Sequence, residues 1–185
     1  RGDSCTGFHI VVFGQVKLSF TSAHGVEKIV EIVQQGQSFG EAMMFLDKPY
    51  VVSALALSSS LLLHISKSAV FSELERNYDI MRKMLGNLAC QTHQLMLDVE
   101  GYSMLTGKQR IISYLLNQLE NGEPGSEAVL LDLSVTKGII ASRLNLTQEH
   151  FSRILHELSD LDLIQVDGRR LTIHSLQRLS MHQFE

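Results

Sequence analysis

The sequence predicts an α+β fold: a β-roll or jelly roll, a long helix, and a C-terminal winged helix-turn-helix. Three observations carry this expectation. Short apolar runs separated by glycine turns fill residues 1–66, as in sandwich, roll and barrel architectures. From Asp79 the apolar residues recur at spacings of four and three, the period of a helix. From Val129 the order strand, helix, short turn, helix, hairpin matches the winged layout.

Each element follows from its residues. In "GFHIVVFGQVKLSF" β-branched and aromatic residues dominate, and Val16, Leu18 and Phe20 alternate with Gln15, Lys17 and Ser19, the pattern of a half-buried strand. Ser22 to Gly25 turn the chain, "VEKIVEIV" returns as a second strand, and Gly36 and Gly40 mark tight turns. "VVSALAL" and "SLLLHIS" have strand length. "SKSAVFSELER" reads as a short helix capped by Ser66 or Ser68, because a serine hydroxyl can accept from a free N–H of the first turn. Met81, Leu85, Leu88, Thr92, Leu95 and Val99 then form an a/d stripe, widened by Met84 and Met96. Such a stripe packs against a partner helix or against the chain's own β domain.

"GYSMLTG", residues 101–107, is expected to be a hinge, "KQRIISYLLNQL" an amphipathic helix, and "ENGEPGSEA" a polar loop. "VLLDLS" is a short strand, "TKGIIASRL" and "QEHFSRILHELSDLDL" are helices joined by "NLT", and "IQVDGRRLTIH" is a hairpin with Asp167-Gly168 in a type I′ turn. The expected boundaries are 1–66 for the roll, 67–105 for the short helix, long helix and hinge, and 106–185 for the winged domain.

Composition bounds the function. The 185 residues are 44% hydrophobic and 19% charged, a globular balance with enough chain to bury a core. No run of about 18 uncharged apolar residues appears, so no membrane span is expected. "RGDSCTGF" lacks the basic and apolar regions of a signal peptide, and its abrupt start reads as if upstream residues were missing. Cys5 and Cys90 lie far apart and build no disulfide framework, which suits a reducing cytoplasm. The net charge of −4 argues against a broadly basic nucleic-acid binder but leaves room for a local basic patch.

The winged segment offers such a patch. Ile139, Ile140 and Leu144 of the first helix can pack on Phe151, Ile154 and Leu155 of the second, with Leu146 in the turn and Thr147 as N-cap. Gln148, Glu149, Ser152 and Arg153 then remain outward, where a recognition helix meets base edges. An arginine there can pair with guanine O6 and N7, and a glutamate can accept from a base amino group. Lys137, Arg143, Thr147, Arg169 and Arg170 are positioned for phosphates, which set register rather than sequence preference. The expected partner is double-stranded DNA.

Two other readings compete. A winged helix can serve as a protein-interaction module. That alternative gains from the balance over residues 108–185, with eight Lys/Arg (108, 110, 137, 143, 153, 169, 170, 178) against ten Asp/Glu. A cupin-like metal enzyme would need clustered histidines, yet His9, His24 and His64 are dispersed. No P-loop and no GxSxG occurs, so no catalytic residue is assigned.

"TKGIIASRLNLTQEHFSRILHELSDLDLIQVDGRRLTI" resembles the C-terminal module of the Crp/Fnr transcription regulators. "RGDSCTGFHIVVFGQVKL" and "GQSFGEAMMF" resemble their cyclic-nucleotide-binding-like sensor roll, without its start, and the Met81–Val99 stripe resembles their dimerisation helix. The resemblance implies a homodimer on a palindromic operator, activation through contact with RNA polymerase, and a cytoplasmic location. Glu149-x-x-Ser152-Arg153 is similar to the Fnr-type reader of TTGAT-like half-sites, and "EAMMF" resembles the nitric-oxide-responsive Dnr branch.

The resemblance also implies an effector pocket at Gly40, Glu41, Val51, Val52, Leu95 and Met96. Relatives that bind cAMP follow the Gly-Glu pair with Arg-Ser. Here Val51 and Val52 stand at those positions, and Lys48 is the one nearby cation. A buried cyclic phosphate would lack its counter-charge, so cAMP is not expected. Haem is an alternative, with His9, His24, His64 or a methionine as axial ligand. A four-cysteine iron–sulfur cluster is not expected from two cysteines.

Overall fold

The computed structural model describes residues 1–118 and 128–182. The expected polar loop "ENGEPGSEA" lies outside these residues apart from Ala128. The chain forms two compact units, Arg1–Met96 and Leu97–Glu185.

The first unit holds β1 (Gly7–Phe13), β2 (Val16–Thr21), β3 (Glu27–Val33), β4 (Ser38–Phe39), β5 (Ser53–Ala56) and β6 (Leu61–Ser66). Two antiparallel three-stranded sheets result, in the orders β4-β1-β6 and β3-β2-β5. Val11, Val16, Leu18, Val33 and Phe39 come from both sheets and form one buried cluster. The helices α1 (Glu41–Leu46) and α2 (Lys67–Leu74) contribute to a second cluster of Phe8, Met44 and Val70. Strand β1 therefore has apolar partners on both faces, which explains why "GFHIVV" lacks a clean alternation.

The alternation expected in β2 holds for Val16 and Leu18 but then inverts. Ser19 is buried and Phe20 is exposed, at the point where Val30 of β3 is left as an extra residue between the pairs Leu18–Glu31 and Ser19–Ile29. Buried Ser19 is satisfied by donating to Glu27 Oε1 at 2.8 Å. Ser66, rather than Ser68, caps α2 by accepting from the Ala69 N–H at 3.3 Å.

The long helix α3 spans Tyr78–Met104, beyond the expected end at Val99, and includes Gly101. The expected hinge at 101–107 is thus mostly helix. One glycine costs a helix only about 1 kcal/mol, and hydrogen bonds of Tyr102 hold this turn. The break is confined to Leu105 and Thr106, after which α4 (Gly107–Asn117) begins. A reciprocal capping box starts it: Thr106 Oγ1 accepts from Gln109 N–H, and Gln109 Oε1 accepts from Thr106 N–H.

The second unit continues with β7 (Val129–Asp132), α5 (Lys137–Arg143), α6 (Gln148–Asp160), β8 (Ile164–Asp167), β9 (Arg170–Ile173) and α7 (Leu176–Met181). The sheet order is β7-β9-β8. Phe151, Ile154, Leu155 and Leu158 bury one face of α6, while Ile111, Ile112 and Leu115 of α4, Ile140 of α5 and Leu171 and Ile173 of β9 are also buried. Asn145, between α5 and α6, adopts the left-handed region at φ 59°, which asparagine tolerates. The β8–β9 loop is Gly168-Arg169, with positive φ at Gly168 alone. That is the type II′ pattern, so the expected type I′ turn at Asp167-Gly168 is corrected. Among the described residues no helix is long and apolar enough to cross a membrane.

Two predictions follow from this packing. Leu158→Ala removes a fully buried side chain and should lower stability by about 2–5 kcal/mol, measured by urea unfolding on the helical circular-dichroism signal. His9 stacks on Phe39 at 5.1 Å and sits 4.9 Å from the His64 ring, with Nδ1 buried and unpartnered. Burial, and then the His64 charge, hold His9 below the ordinary imidazole range. The unfolded chain therefore takes up this proton first as pH falls through about 6.5, and the folded state loses stability there. His9→Gln should flatten that part of a stability-versus-pH curve between pH 7 and 5.

Candidate functional site

The candidate DNA-facing surface is built outward from the buried stripe of α6. Thr147 caps the helix by accepting from the His150 N–H at 3.2 Å. With Phe151, Ile154, Leu155 and Leu158 inward, Gln148, Glu149 and Arg153 are exposed and Ser152 is half-buried. His156, one turn further along, is exposed on the same side. The Gln148 amide leans towards α5, since a Cβ on Gly138 would lie 2.9 Å from its Oε1. Glu149 and Arg153 form no ion pair among the described residues, so both remain available to an external partner.

The expected phosphate contacts divide. Lys137 opens α5 half-buried, Thr147 is exposed, and Arg169 and Arg170 are exposed at the hairpin. Arg170 stands directly opposite Asp132 and Asp167 on the flanking strands, which offsets its charge. Arg169 is the freer cation of the wing.

Arg143 is corrected: it does not face outward. Its Nη2 donates to Asp98 Oδ2 at 2.7 Å, its Nη1 donates to Tyr102 Oη at 2.8 Å, and the side chain is 16% exposed. Asp98 charge and the Tyr102 contacts more than offset burial and raise its already high pKa. Burial likewise pushes the Tyr102 hydroxyl up. The expectation failed because the partners lie some forty residues upstream, beyond any local pattern.

The first unit carries an open cleft of about 630 Å³ against α3. Phe8 and Ile10 of β1, Glu31, the Gly36–Ser38 turn and Glu41 form one wall. Ile80, Lys83, Met84, Asn87, Cys90, Gln91 and Gln94 of α3 form the other. Glu41 is 3% exposed, and its Oε1 accepts from Asn87 Nδ2 at 3.4 Å.

Of the expected pocket residues, Glu41 lines this cleft. Gly40 is the N-cap of α1 at φ 100° with Tyr50 close by, a conformation that favours glycine. Val52 packs on the roll core, and Val51, Leu95 and Met96 are exposed and outside the cleft lining. Lys83 supplies a cation that the sequence reading did not place there. The signal existed: Lys83, Asn87, Cys90, Gln91 and Gln94 recur at helical spacing as a polar stripe beside the apolar one.

The expected partner-facing stripe also divides. Met81 and Leu88 are half-buried, whereas Leu85, Thr92, Leu95 and Val99 are exposed. His9 and His64 meet across β1 and β6, but neither lines the cleft, because Phe8 and Ile10 occupy the face of β1 that does. His24 is exposed in the β2–β3 turn. Among the described residues no group of three or more His, Cys, Asp or Glu could hold a metal ion.

Comparison with known proteins assigns both parts. Residues 1–77 match the cyclic nucleotide-binding domain, and residues 109–181 match the Crp-like helix-turn-helix domain. A global nitrogen regulator of Nostoc sp. is 24% identical over 184 residues, covering 97% of this chain and 82% of that protein. The cAMP-activated global transcriptional regulator CRP of Haemophilus influenzae is 24% identical over 175 residues, covering 94% and 78%. The structure of FixK2 from Bradyrhizobium japonicum superposes with a TM-score of 0.82 at 18% identity, over 98% of this chain and 89% of that one. The matched domains and named relatives are those of regulators, so the enzyme alternative falls away. With a cyclic nucleotide-binding domain followed by a Crp-like helix-turn-helix over most of its length, the chain belongs to the Crp/Fnr family of DNA-binding transcription regulators.

Proposed function

We propose that the chain works as a homodimer on a palindromic operator, reading TTGAT-like half-sites through Gln148, Glu149, Ser152 and Arg153. The observation that carries this reading is the outward Glu149 and Arg153 on a capped, one-sided helix, with neither in an ion pair among the described residues. Arg153 would meet a guanine, Glu149 a base amino group, and Lys137, Thr147, Arg169 and Arg170 the phosphates. The apolar residues Leu85, Leu95, Met96 and Val99, between 53% and 64% exposed, form the surface a second copy would cover. Two readers would then have to meet successive major grooves about 34 Å apart. Activation through RNA polymerase and a cytoplasmic location complete the reading.

The effector is a ligand of the α3 cleft other than cAMP. Among the described residues Lys83 is the one Lys or Arg in the lining, and no cation comes from Val51 or Val52. A haem-based response to nitric oxide is the second reading. The three histidines do not line this cleft, whereas Met84 does and is the methionine that would hold the iron. Haem would supply the gas-binding metal centre, and Phe8, Ile10 and Ile80 would offer its ring an apolar surface.

The DNA assignment is tested by two substitutions. Arg153→Ala should cost about 1–3 kcal/mol on the operator and relax preference at one base position, measured by fluorescence anisotropy. Lys137→Ala should weaken all duplexes alike and lower the salt slope by about one. Identical losses on every sequence from both changes would sink the assignment. For the cleft, calorimetry should detect no micromolar cAMP binding, and an absorption spectrum of reduced protein with nitric oxide decides the haem reading.

A further inference from the structure

The turn between α5 and α6 is gripped from outside the helix pair. Its three successive carbonyls each accept a hydrogen bond from a distant side chain. Tyr102 Oη donates to Arg143 O at 2.6 Å. Arg110 Nη1 donates to Leu144 O at 2.8 Å and to Asn145 O at 3.4 Å. The Arg110 guanidinium also lies 6.0 Å from the centre of the Tyr102 ring. The Arg143 side chain closes the network onto Tyr102 Oη and Asp98 Oδ2. All four residues belong to the second compact unit, two of them on the last turns of α3.

Stability alone does not require this arrangement. Asp98 and Arg143 are 17% and 16% exposed, and apolar residues of similar volume commonly serve a buried site at least as well. What the network adds is direction. Carbonyls at a helix C-terminus point along its axis, so donors fixed to them set the angle at which the chain leaves. Asn145 in the left-handed region and the Thr147 cap then lead straight into α6. Three consecutive carbonyls fixed in this way leave the turn little freedom to pivot.

We propose that Asp98, Tyr102 and Arg110 are positioning residues for base recognition, fixing the aim of α6 through Arg143 and the carbonyls of the α5–α6 turn. None of the three touches DNA. The proposal rests on the reading of α6 as the base-contacting helix.

The test uses the full chain with a random duplex library, then anisotropy on the enriched duplex and on a scrambled one. Tyr102→Phe removes one hydroxyl and keeps the ring under Arg110. It should weaken binding to the enriched duplex about tenfold, the scale of one good base contact, while binding to the scrambled duplex stays at the parent value, both measured at a temperature where circular dichroism shows the variant fully folded. Asp98→Asn, which keeps the shape and removes the charge, should do the same and serves if Tyr102→Phe fails to fold. Equal losses on both duplexes, or an unchanged ratio between them, would overturn the positioning role while leaving the reader assignment intact. A parent chain that enriches no sequence removes the reader assignment, and this proposal with it.

Discussion

The burial of Phe151, Ile154, Leu155 and Leu158 is the constraint on which the functional surface depends. A helix with that stripe against a core has one orientation about its axis, and its polar residues have no choice of face. Glu149 and Arg153 project outward because phenylalanine and leucine are held inward. The surrounding parts refine that orientation. The Thr147 cap fixes where the helix starts, the α5–α6 turn fixes its angle, and the ion pair from Lys108 to Glu157 at 3.1 Å ties its far side to α4.

Strand β1 plays the matching part in the first unit. Its opposite faces pack on two clusters, one shared between the sheets and one shared with helices. The division separates two chemistries. His9 joins a ladder of rings with Phe39 and His64, while Phe8 and Ile10 turn to the cleft against α3. A group in the cleft is therefore in contact with the helix wall and not with the histidines.

Local features were legible in the sequence, and long-range pairings were not. The period of α6, the Thr147 cap and the strand–helix–helix–hairpin order depend on residues within a few positions of one another. The bulge was hidden because its extra residue, Val30, lies in β3, and nothing in "QVKLSF" marks Ser19 as a residue that turns inward. The capping box of Thr106 and Gln109 was present in the letters, but the flanking Gly101 and Gly107 drew the segment towards a hinge. Arg143 sat among outward cations in the sequence and pairs inward in the fold, since its partners come from the end of α3. Lys83 reached the cleft by the same route, through a helix that returns to the roll.

The wing shows what a sparing use of positive charge entails. Arg170 lies between Asp132 and Asp167, and the chain as a whole carries −4. Indiscriminate adhesion to a chromosome grows with the number of counterions a protein displaces, and Lys108, Arg143 and Arg178 of this unit are already held in ion pairs. On the proposed reading, bulk genomic duplex is a poor sink for this regulator, and occupancy of its operator follows complementarity to the bases more than the amount of competing DNA around it.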